Sequence, residues 1–90
     1  MKTISIGKVK VGGKQSLMLI AGPCVIESRE GCLDLAGRLV RLAKAKGIPL
    51  VFKASYDKAN RSSIRAYRGP GLKRGLEILA EVKERFGVPV

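Results

Sequence analysis

Two continuous apolar runs, each followed by a segment of helical periodicity, constrain the fold of this 90-residue chain more than any other feature. The first run covers residues 17–22 and the second covers residues 49–55. Unbroken apolarity, in contrast to alternation, is typical of strands covered on both faces, as in parallel sheets. The order strand, helix, strand, helix therefore predicts an α/β chain with parallel strands and right-handed crossovers.

Both predicted helices carry start or stop signals. Ser28 is expected to cap a helix that ends near residue 46, and a second helix is expected over about 71–86. Gly47 and Gly87 would end them, each with a proline two positions further on. Helical spacing predicts that the inward residues are Leu35, Leu39, Leu42 and Lys46 with Ala36, Val40 and Ala43 beside them, then Leu72, Leu76, Leu79 and Val82.

A weak internal repeat supports two strand-plus-helix units. It aligns Gly47-Ile48-Pro49-Leu50 with Gly87-Val88-Pro89-Val90, and Ala36, Leu39 and Leu42 with Leu76, Leu79 and Val82. The predicted organisation is a hairpin over 1–13 with its turn at Gly7-Lys8, βα units over 17–47 and 49–87, and the start of a third strand at 88–90. Two parallel strands do not bury both sheet faces, so we expect the N-terminal part of a larger α/β protein, or a chain that needs partners.

Composition excludes several classes of protein. The chain has no His, which rules out a Ser-His-Asp triad, a Cys₂His₂ zinc site and an HExxH motif within it. Two Cys are too few for a disulfide scaffold. No apolar run reaches the roughly 18 residues of a membrane span, and the N-terminus has no apolar secretory core. We therefore expect a cytoplasmic protein without a membrane partner.

The positive charge calls for an anionic partner. Eighteen Lys and Arg against seven Asp and Glu give a net charge of +11. Residues 53–74 concentrate this charge in Lys53, Lys58, Arg61, Arg65, Arg68, Lys73 and Arg74, against Asp57 alone. Small polar residues and an aromatic content of 4% favour capture of phosphate or carboxylate over a nucleic-acid surface. The alternative is a solvated basic loop without a ligand.

Polar residues follow both predicted strands, where the active sites of parallel α/β folds lie. Cys24 is open to three interpretations: a thiolate metal ligand, a nucleophile or an inert thiol. Cys32 is better explained by packing, and the two form no CxxC pair. Lys53 ends an apolar strand, where a buried ammonium needs an anion unless it snorkels to solvent. The further candidate anion-binding residues are Lys58, Asn60, Arg61, Ser62 and Ser63.

Two motifs resemble a known family. They are Gly22-Pro23-Cys24-Val25-Ile26-Glu27-Ser28, and Phe52-Lys53-Ala54-Ser55-Tyr56-Asp57-Lys58-Ala59-Asn60-Arg61-Ser62-Ser63 followed by Tyr67-Arg68-Gly69-Pro70-Gly71-Leu72. Together they are similar to the 3-deoxy-D-manno-octulosonate 8-phosphate (Kdo-8-phosphate) synthases over essentially all 90 residues. The resemblance implies a (β/α)₈ TIM barrel with an N-terminal hairpin across its bottom. A barrel of this kind has about 250 residues, of which this chain would supply the first third.

The resemblance also implies an activity. The family condenses phosphoenolpyruvate with arabinose 5-phosphate in lipopolysaccharide biosynthesis. By resemblance, Lys53 and Lys58, the catalytic candidates, and Ser55 lie at the phosphoenolpyruvate site. Residues Asn60, Arg61 and Ser62 engage arabinose 5-phosphate, with the Arg-Ser pair reaching across a subunit boundary. A homo-oligomer, typically a tetramer, is therefore part of the implied mechanism.

The family divides by the residue that matches Cys24. Members with Cys there bind a divalent metal such as Zn, Fe or Mn, and members with Asn do not. The resemblance therefore implies a metal-dependent enzyme with Cys24 as one ligand. The family's other ligands, a His, a Glu and an Asp, lie further along its sequence and are absent from these 90 residues. We expect this chain alone to be inactive.

Three alternatives stay open. The sister enzyme that makes 3-deoxy-D-arabino-heptulosonate 7-phosphate shares the Gly-Pro-Cys segment but usually has Lys-Pro-Arg-Thr/Ser in place of Lys53-Ala54-Ser55. A basic nucleic-acid-binding module would retain random DNA at 200 mM salt without protection by phosphoenolpyruvate. A truncated chain with no present function is the third.

Overall fold

The computed structural model describes residues 2–13, 17–57 and 68–90. These residues form two two-stranded sheets and two helices, which confirms the predicted α/β class. The elements are β1 (Thr3–Ile6), β2 (Val9–Gly12), β3 (Leu19–Ala21), α1 (Arg29–Lys46), β4 (Leu50–Phe52) and α2 (Leu72–Phe86). Within the described ranges, no helix combines the length and apolarity that crossing a membrane requires.

The first sheet is the predicted N-terminal hairpin. Strands β1 and β2 pair antiparallel, with Thr3 opposite Gly12 and Ile6 opposite Val9. Gly7 takes a φ of 57° in the turn, a conformation that costs glycine little because it has no Cβ. A Cβ on Gly7 would lie 3.1 Å from Cγ of Pro89, so the turn lies close to the last residues of the chain.

The second sheet carries the crossover. Strands β3 and β4 are parallel, and α1 connects them. Leu50 and Phe52 of β4 belong to the helix-side core, so their partners Leu19 and Ala21 share that side of the sheet. The main core cluster consists of Ile26, Cys32, Leu33, Ala36, Phe52, Ile78 and Val82.

The ends of the two predicted repeat units correspond in the structure. Gly47 and Gly87 both end a helix in the left-handed conformation, with φ of 66° and 69°. The prolines that follow also correspond. Leu19 donates its backbone N–H to the carbonyl of Pro49 at 2.9 Å, and Phe52 donates to Pro89 at 2.8 Å. Residues 88–90 form no strand of their own, and a third strand starting there stays a prediction.

The predicted inward faces of the helices are wrong in part. In α1 the buried residues are Cys32, Leu33, Ala36, Gly37, Val40 and Ala43, while Leu42 is 54% exposed and Lys46 is exposed. In α2 the buried residues are Gly75, Ile78 and Val82, while Leu72 and Leu76 are exposed. The burial of Ala36, Val40 and Ala43 confirms part of the prediction, but the leucine spacing missed the glycines, at which the chain approaches closely. Gly37 lies against the ring of Phe86, and Gly75 lies against Tyr56.

Inside the helices, the repeat does not predict which residues are buried. Ala36 is buried where its counterpart Leu76 is exposed, and Leu42 is exposed where Val82 is buried. Both helices contribute to the core cluster around Phe52, but they bury different positions of the repeat.

The two apolar runs differ in their burial. Leu50, Val51 and Phe52 are all buried, as predicted for a strand covered on both faces. The first run is not covered within these 90 residues, because Leu17 is 90% exposed and Ile20 is 57% exposed, which agrees with the expectation that two parallel strands alone do not bury both sheet faces. Among the described residues, both helices pack on one side of this sheet, and the face that carries Ile20 lies on the other side.

Candidate functional site

Two polar segments meet beyond one edge of the parallel sheet. Because β3 and β4 run in the same direction, the residues that follow Ala21 and Phe52 emerge side by side. Lys53 donates its backbone N–H to the carbonyl of Ala21 at 2.9 Å. Further along, Ile26 donates to the carbonyl of Ser55 at 3.0 Å. These two bonds hold the segment that carries Cys24 next to the segment that carries Lys53 and Ser55.

Gly22 permits this close approach. A Cβ at position 22 would lie closer than 3.0 Å to the carbonyl oxygen and carbon of Lys53. A backbone neighbour cannot move away without shifting the end of β4. Sequence reasoning did not single out Gly22, although a glycine at the end of an apolar run is a known sign of close backbone approach.

Lys53 lies exposed just after β4, and its role in binding an anion stays a prediction. The strand ends at Phe52 and the lysine side chain is free to reach solvent, which is the snorkelling alternative. Its Nζ donates to Oγ of Ser55 at 3.3 Å. An ammonium group has three donors, so two remain for the oxygens of an anion.

The two cysteines have different environments. Cys24 is exposed, and Cys32 is buried in the main core cluster. Burial raises the pKa of the Cys32 thiol, which keeps it protonated and unreactive. The packing role predicted for Cys32 is confirmed, whereas the role of Cys24 stays a prediction.

A shallow cleft of about 350 Å³ lies at the start of α1 and is lined in part by Cys24, Glu27 and Ser28. Ser28 accepts a hydrogen bond from the backbone N–H of Gly31 at 3.0 Å, which confirms the predicted helix cap. Across residues 2–13, 17–57 and 68–90, no three side chains of His, Cys, Asp or Glu come together as a metal site. The described part of the chain therefore does not by itself fit a metal, which normally needs three protein ligands or more.

Four of the predicted site residues, Lys58, Asn60, Arg61 and Ser62, lie outside the described residues, as does Ser63. The residues on either side of them are described and are tied together. Arg68 donates from Nε to Oδ1 of Asp57 at 3.0 Å and from Nη2 to Oδ2 at 2.8 Å. The hydrogen bonds and charge of Asp57 raise the pKa of the Arg68 guanidinium. Gly71 donates its backbone N–H to the carbonyl of Tyr56 at 3.0 Å.

Tyr56 and Asp57 thus lie next to Arg68, Gly69 and Gly71. Sequence reasoning counted Asp57 and Arg68 only as charges and missed their pairing. The available signal was one acidic residue in a strongly basic stretch, with an arginine 11 positions further on. The predicted start of the second helix near residue 71 is confirmed, with Gly71 as the N-cap residue of α2.

The comparisons with known proteins extend over essentially the whole chain. The DAHP synthetase I family matches residues 1–90. Curated relatives from Trichlorobacter lovleyi and Geobacter metallireducens, both called 2-dehydro-3-deoxyphosphooctonate aldolase, are each 60% identical to this chain over 89 residues. A relative of the same name from Geobacter sulfurreducens is 53% identical over 89 residues.

These alignments cover 99% of this chain but 33% of each of the three relatives. The chain thus spans about a third of the length of the curated relatives that it matches. A family match over all 90 residues, together with identity of this level, settles the assignment: the chain belongs to the DAHP synthetase I family.

Proposed function

We propose that this chain forms the first third of an enzyme that condenses phosphoenolpyruvate with D-arabinose 5-phosphate. The products are 3-deoxy-D-manno-octulosonate 8-phosphate and inorganic phosphate. The observation that carries the proposal is the identity of 53–60% with relatives called 2-dehydro-3-deoxyphosphooctonate aldolase. Both substrates are anions, which agrees with a net charge of +11.

The geometry at the strand ends suits this chemistry. The enol carbon of phosphoenolpyruvate attacks the sugar aldehyde, water adds to the resulting cationic carbon, and the C–O bond to phosphate then breaks. The protein needs mainly to position two anions and to stabilise charge. Lys53 and Ser55 lie in contact at the end of β4 and supply donors for the first substrate. We propose that Lys58 joins them, and that Asn60, Arg61 and Ser62 bind the sugar phosphate.

The larger architecture is also a proposal. We place 1–13 as a hairpin below a (β/α)₈ barrel, 17–47 and 49–87 as its first two βα units, and 88–90 at the start of the third strand. The hydrogen bond from the backbone N–H of Phe52 to the carbonyl of Pro89 supports this order, because it places residues 88–90 beside β4. A cytoplasmic homotetramer, in which Arg61 and Ser62 reach a neighbouring subunit's substrate, completes the proposal.

A divalent metal belongs to the proposal through Cys24. Its thiol is exposed at the strand end and would supply one ligand, with the others coming from residues that these 90 do not contain. We expect Co²⁺ added to residues 1–90 to give no strong thiolate charge-transfer band. A strong band that disappears in Cys24→Ser would show that these residues hold metal unaided.

The direct test uses the product of the whole reading frame that encodes this sequence. Supplied with phosphoenolpyruvate and arabinose 5-phosphate, it should release phosphate and form the eight-carbon product. Lys53→Ala should lower kcat/KM for phosphoenolpyruvate about a hundredfold, because it removes a charged group at the reacting anion. Lys46→Ala is the matched control, since Lys46 lies exposed in the last turn of α1. Absence of the eight-carbon product would refute the proposal.

The second candidate is the heptulosonate synthase, which the name of the matching family favours. Its substrate is erythrose 4-phosphate in place of arabinose 5-phosphate. Competition between the two sugars separates the candidates, because each product has a different mass. We expect the arabinose product to dominate, since Lys53-Ala54-Ser55 departs from the sister enzyme's usual pattern.

A further inference from the structure

Residues 53–56, which we call the strand-end segment, continue beyond β4 and are held from two sides by backbone hydrogen bonds. On one side, Ile26 donates its N–H to the carbonyl of Ser55 at 3.0 Å. On the other side, Gly71 donates its N–H to the carbonyl of Tyr56, also at 3.0 Å. These bonds fix the peptide groups before and after Tyr56, and Ser55 is joined directly to the first of them.

A glycine of α2 brings that helix against the same segment. A Cβ on Gly75 would lie closer than 3.0 Å to Cβ of Tyr56 and 3.4 Å from its Cα. The neighbour is thus the stem of the tyrosine and not the far end of a flexible side chain. Only a shift of the strand-end segment or of α2 would make room for an added methyl group.

The helix itself has no use for a glycine at this position. Gly75 lies inside α2, donates its N–H to the carbonyl of Gly71 at 2.9 Å, and does not have a left-handed φ. Alanine would suit such a backbone better than glycine, which loses more conformational freedom on folding. Within the described part of the chain, the close approach of Tyr56 is what accounts for glycine here.

The place of Tyr56 bears directly on the two groups that are proposed to bind phosphoenolpyruvate. Ser55 precedes Tyr56, and its Oγ accepts from Nζ of Lys53 at 3.3 Å. The lysine is exposed and its side chain is long and flexible, so the contact with Ser55 helps to define where the ammonium group lies. A displacement of about 1 Å in groups that hold a reacting anion removes much of their effect.

We propose that Gly75 is a positioning residue: by admitting the Cβ of Tyr56, it sets where Ser55 and Lys53 meet the enol phosphate. This inference rests on the proposed function, in which Lys53 and Ser55 bind phosphoenolpyruvate. The alternative is a contact that serves only the packing of α2, in which case it affects stability and leaves substrate binding unchanged.

Two substitutions of Tyr56 that differ by one carbon atom test the contact. Tyr56→Ala keeps the Cβ that packs against Gly75, and Tyr56→Gly removes it. The Kd of phosphoenolpyruvate is measured by calorimetry and its KM by turnover, on the product of the whole reading frame. We expect Tyr56→Ala to change both constants less than about twofold, and Tyr56→Gly to raise both about three- to tenfold.

Gly75→Ala tests the same contact from the helix. The added methyl group should displace Tyr56 and raise the Kd and KM for phosphoenolpyruvate about three- to tenfold. Adding Tyr56→Gly to Gly75→Ala should lower Kd again, because the colliding Cβ is gone. Gly37→Ala is the matched control, since this glycine also lies inside a helix but its new Cβ would meet the movable ring of Phe86 at 3.3 Å. Gly37→Ala should leave both constants unchanged.

Coupling to Ser55 separates positioning from a general loss of structure. Urea denaturation first establishes which variants are folded under the assay conditions. If Gly75 acts through Ser55, then Ser55→Ala raises the Kd of phosphoenolpyruvate by a smaller factor in Gly75→Ala than in the wild type. If Gly75→Ala does not fold, the comparison of Tyr56→Ala with Tyr56→Gly decides.

The outcomes distinguish this inference from the proposed function. Unchanged Kd in the folded Gly75→Ala and Tyr56→Gly variants, or effects that multiply independently of Ser55→Ala, would overturn the inference while the proposed function stands. The expected pattern of Kd values without formation of the eight-carbon product would support the inference and overturn the proposed function. A wild-type protein that fails to bind phosphoenolpyruvate would overturn both.

Discussion

Gly22 has no room for a side chain. We expect Gly22→Ala to lower the free energy of unfolding by about 3 kcal/mol, because its Cβ would collide with the backbone of Lys53. Urea denaturation of residues 1–90 measures this change. The matched control is Gly37→Ala, where the new Cβ would lie 3.3 Å from the ring of Phe86 and a side chain can yield. Equal stability of Gly22→Ala and the wild type would show that the strand ends separate without cost.

At this scale, local chemistry was predictable and tertiary environment was not. The Ser28 cap followed from a hydroxyl before a helical pattern, and the burial of Cys32 followed from its place within the helix. The exposure of Lys53 depends on where β4 ends, and the Gly22 contact depends on Lys53 itself, 31 positions further along the chain. No pattern within a single segment contains that information.

The carboxylate of Glu81 links the two helices. Glu81 of α2 accepts from Arg29 of α1, with 2.8 Å between Arg29 Nε and Glu81 Oε1, and also from Arg85 at 3.2 Å. The hydrogen bonds from Arg29 lower the pKa of Glu81. A carboxyl whose pKa is lower in the folded state stabilises the fold above its unfolded pKa, and this contribution is lost as pH falls through the folded value.

We therefore expect the melting temperature of Glu81→Gln to lie below that of the wild type at neutral pH. The difference should shrink as the pH falls below the ordinary glutamate pKa, and it should vanish below the lowered one. Thermal unfolding followed by circular dichroism over this range is the measurement. Glu77→Gln is the control, because Glu77 pairs with Arg74 inside α2 and does not join the helices. A pH-independent difference would mean that Glu81 acts by packing.

Helix ends were predictable from sequence, whereas helix faces were not. Ser28, Gly47 and Gly87 mark the ends through backbone chemistry that each residue carries by itself. The faces are decided by which partners each helix meets. Small residues such as Gly37 and Gly75 come closest to those partners, while a search for large apolar residues favours Leu42 and Leu76.

At the scale of the whole molecule, the face of the parallel sheet that carries Ile20 is only partly covered in these 90 residues. Leu50 and Phe52 are covered by the helices, so Ile20 lies on the opposite face, where it is 57% exposed. An exposed apolar residue on a short sheet favours association with another surface.

We expect residues 1–90 to self-associate through this face, and Ile20→Lys to shift them toward monomer. Sedimentation velocity at several concentrations measures the shift. Leu42→Lys replaces a leucine that is 54% exposed on the outer side of α1, and it should leave association unchanged.

In the product of the whole reading frame, Ile20→Lys should instead destabilise the fold, because the proposed barrel covers β3 on both faces. There Ile20→Lys should lower the free energy of unfolding by about 3 kcal/mol or more, since it places an unpaired ammonium among apolar groups. A harmless Ile20→Lys in the longer protein would mean that this face stays open to water, and the proposed barrel would be wrong.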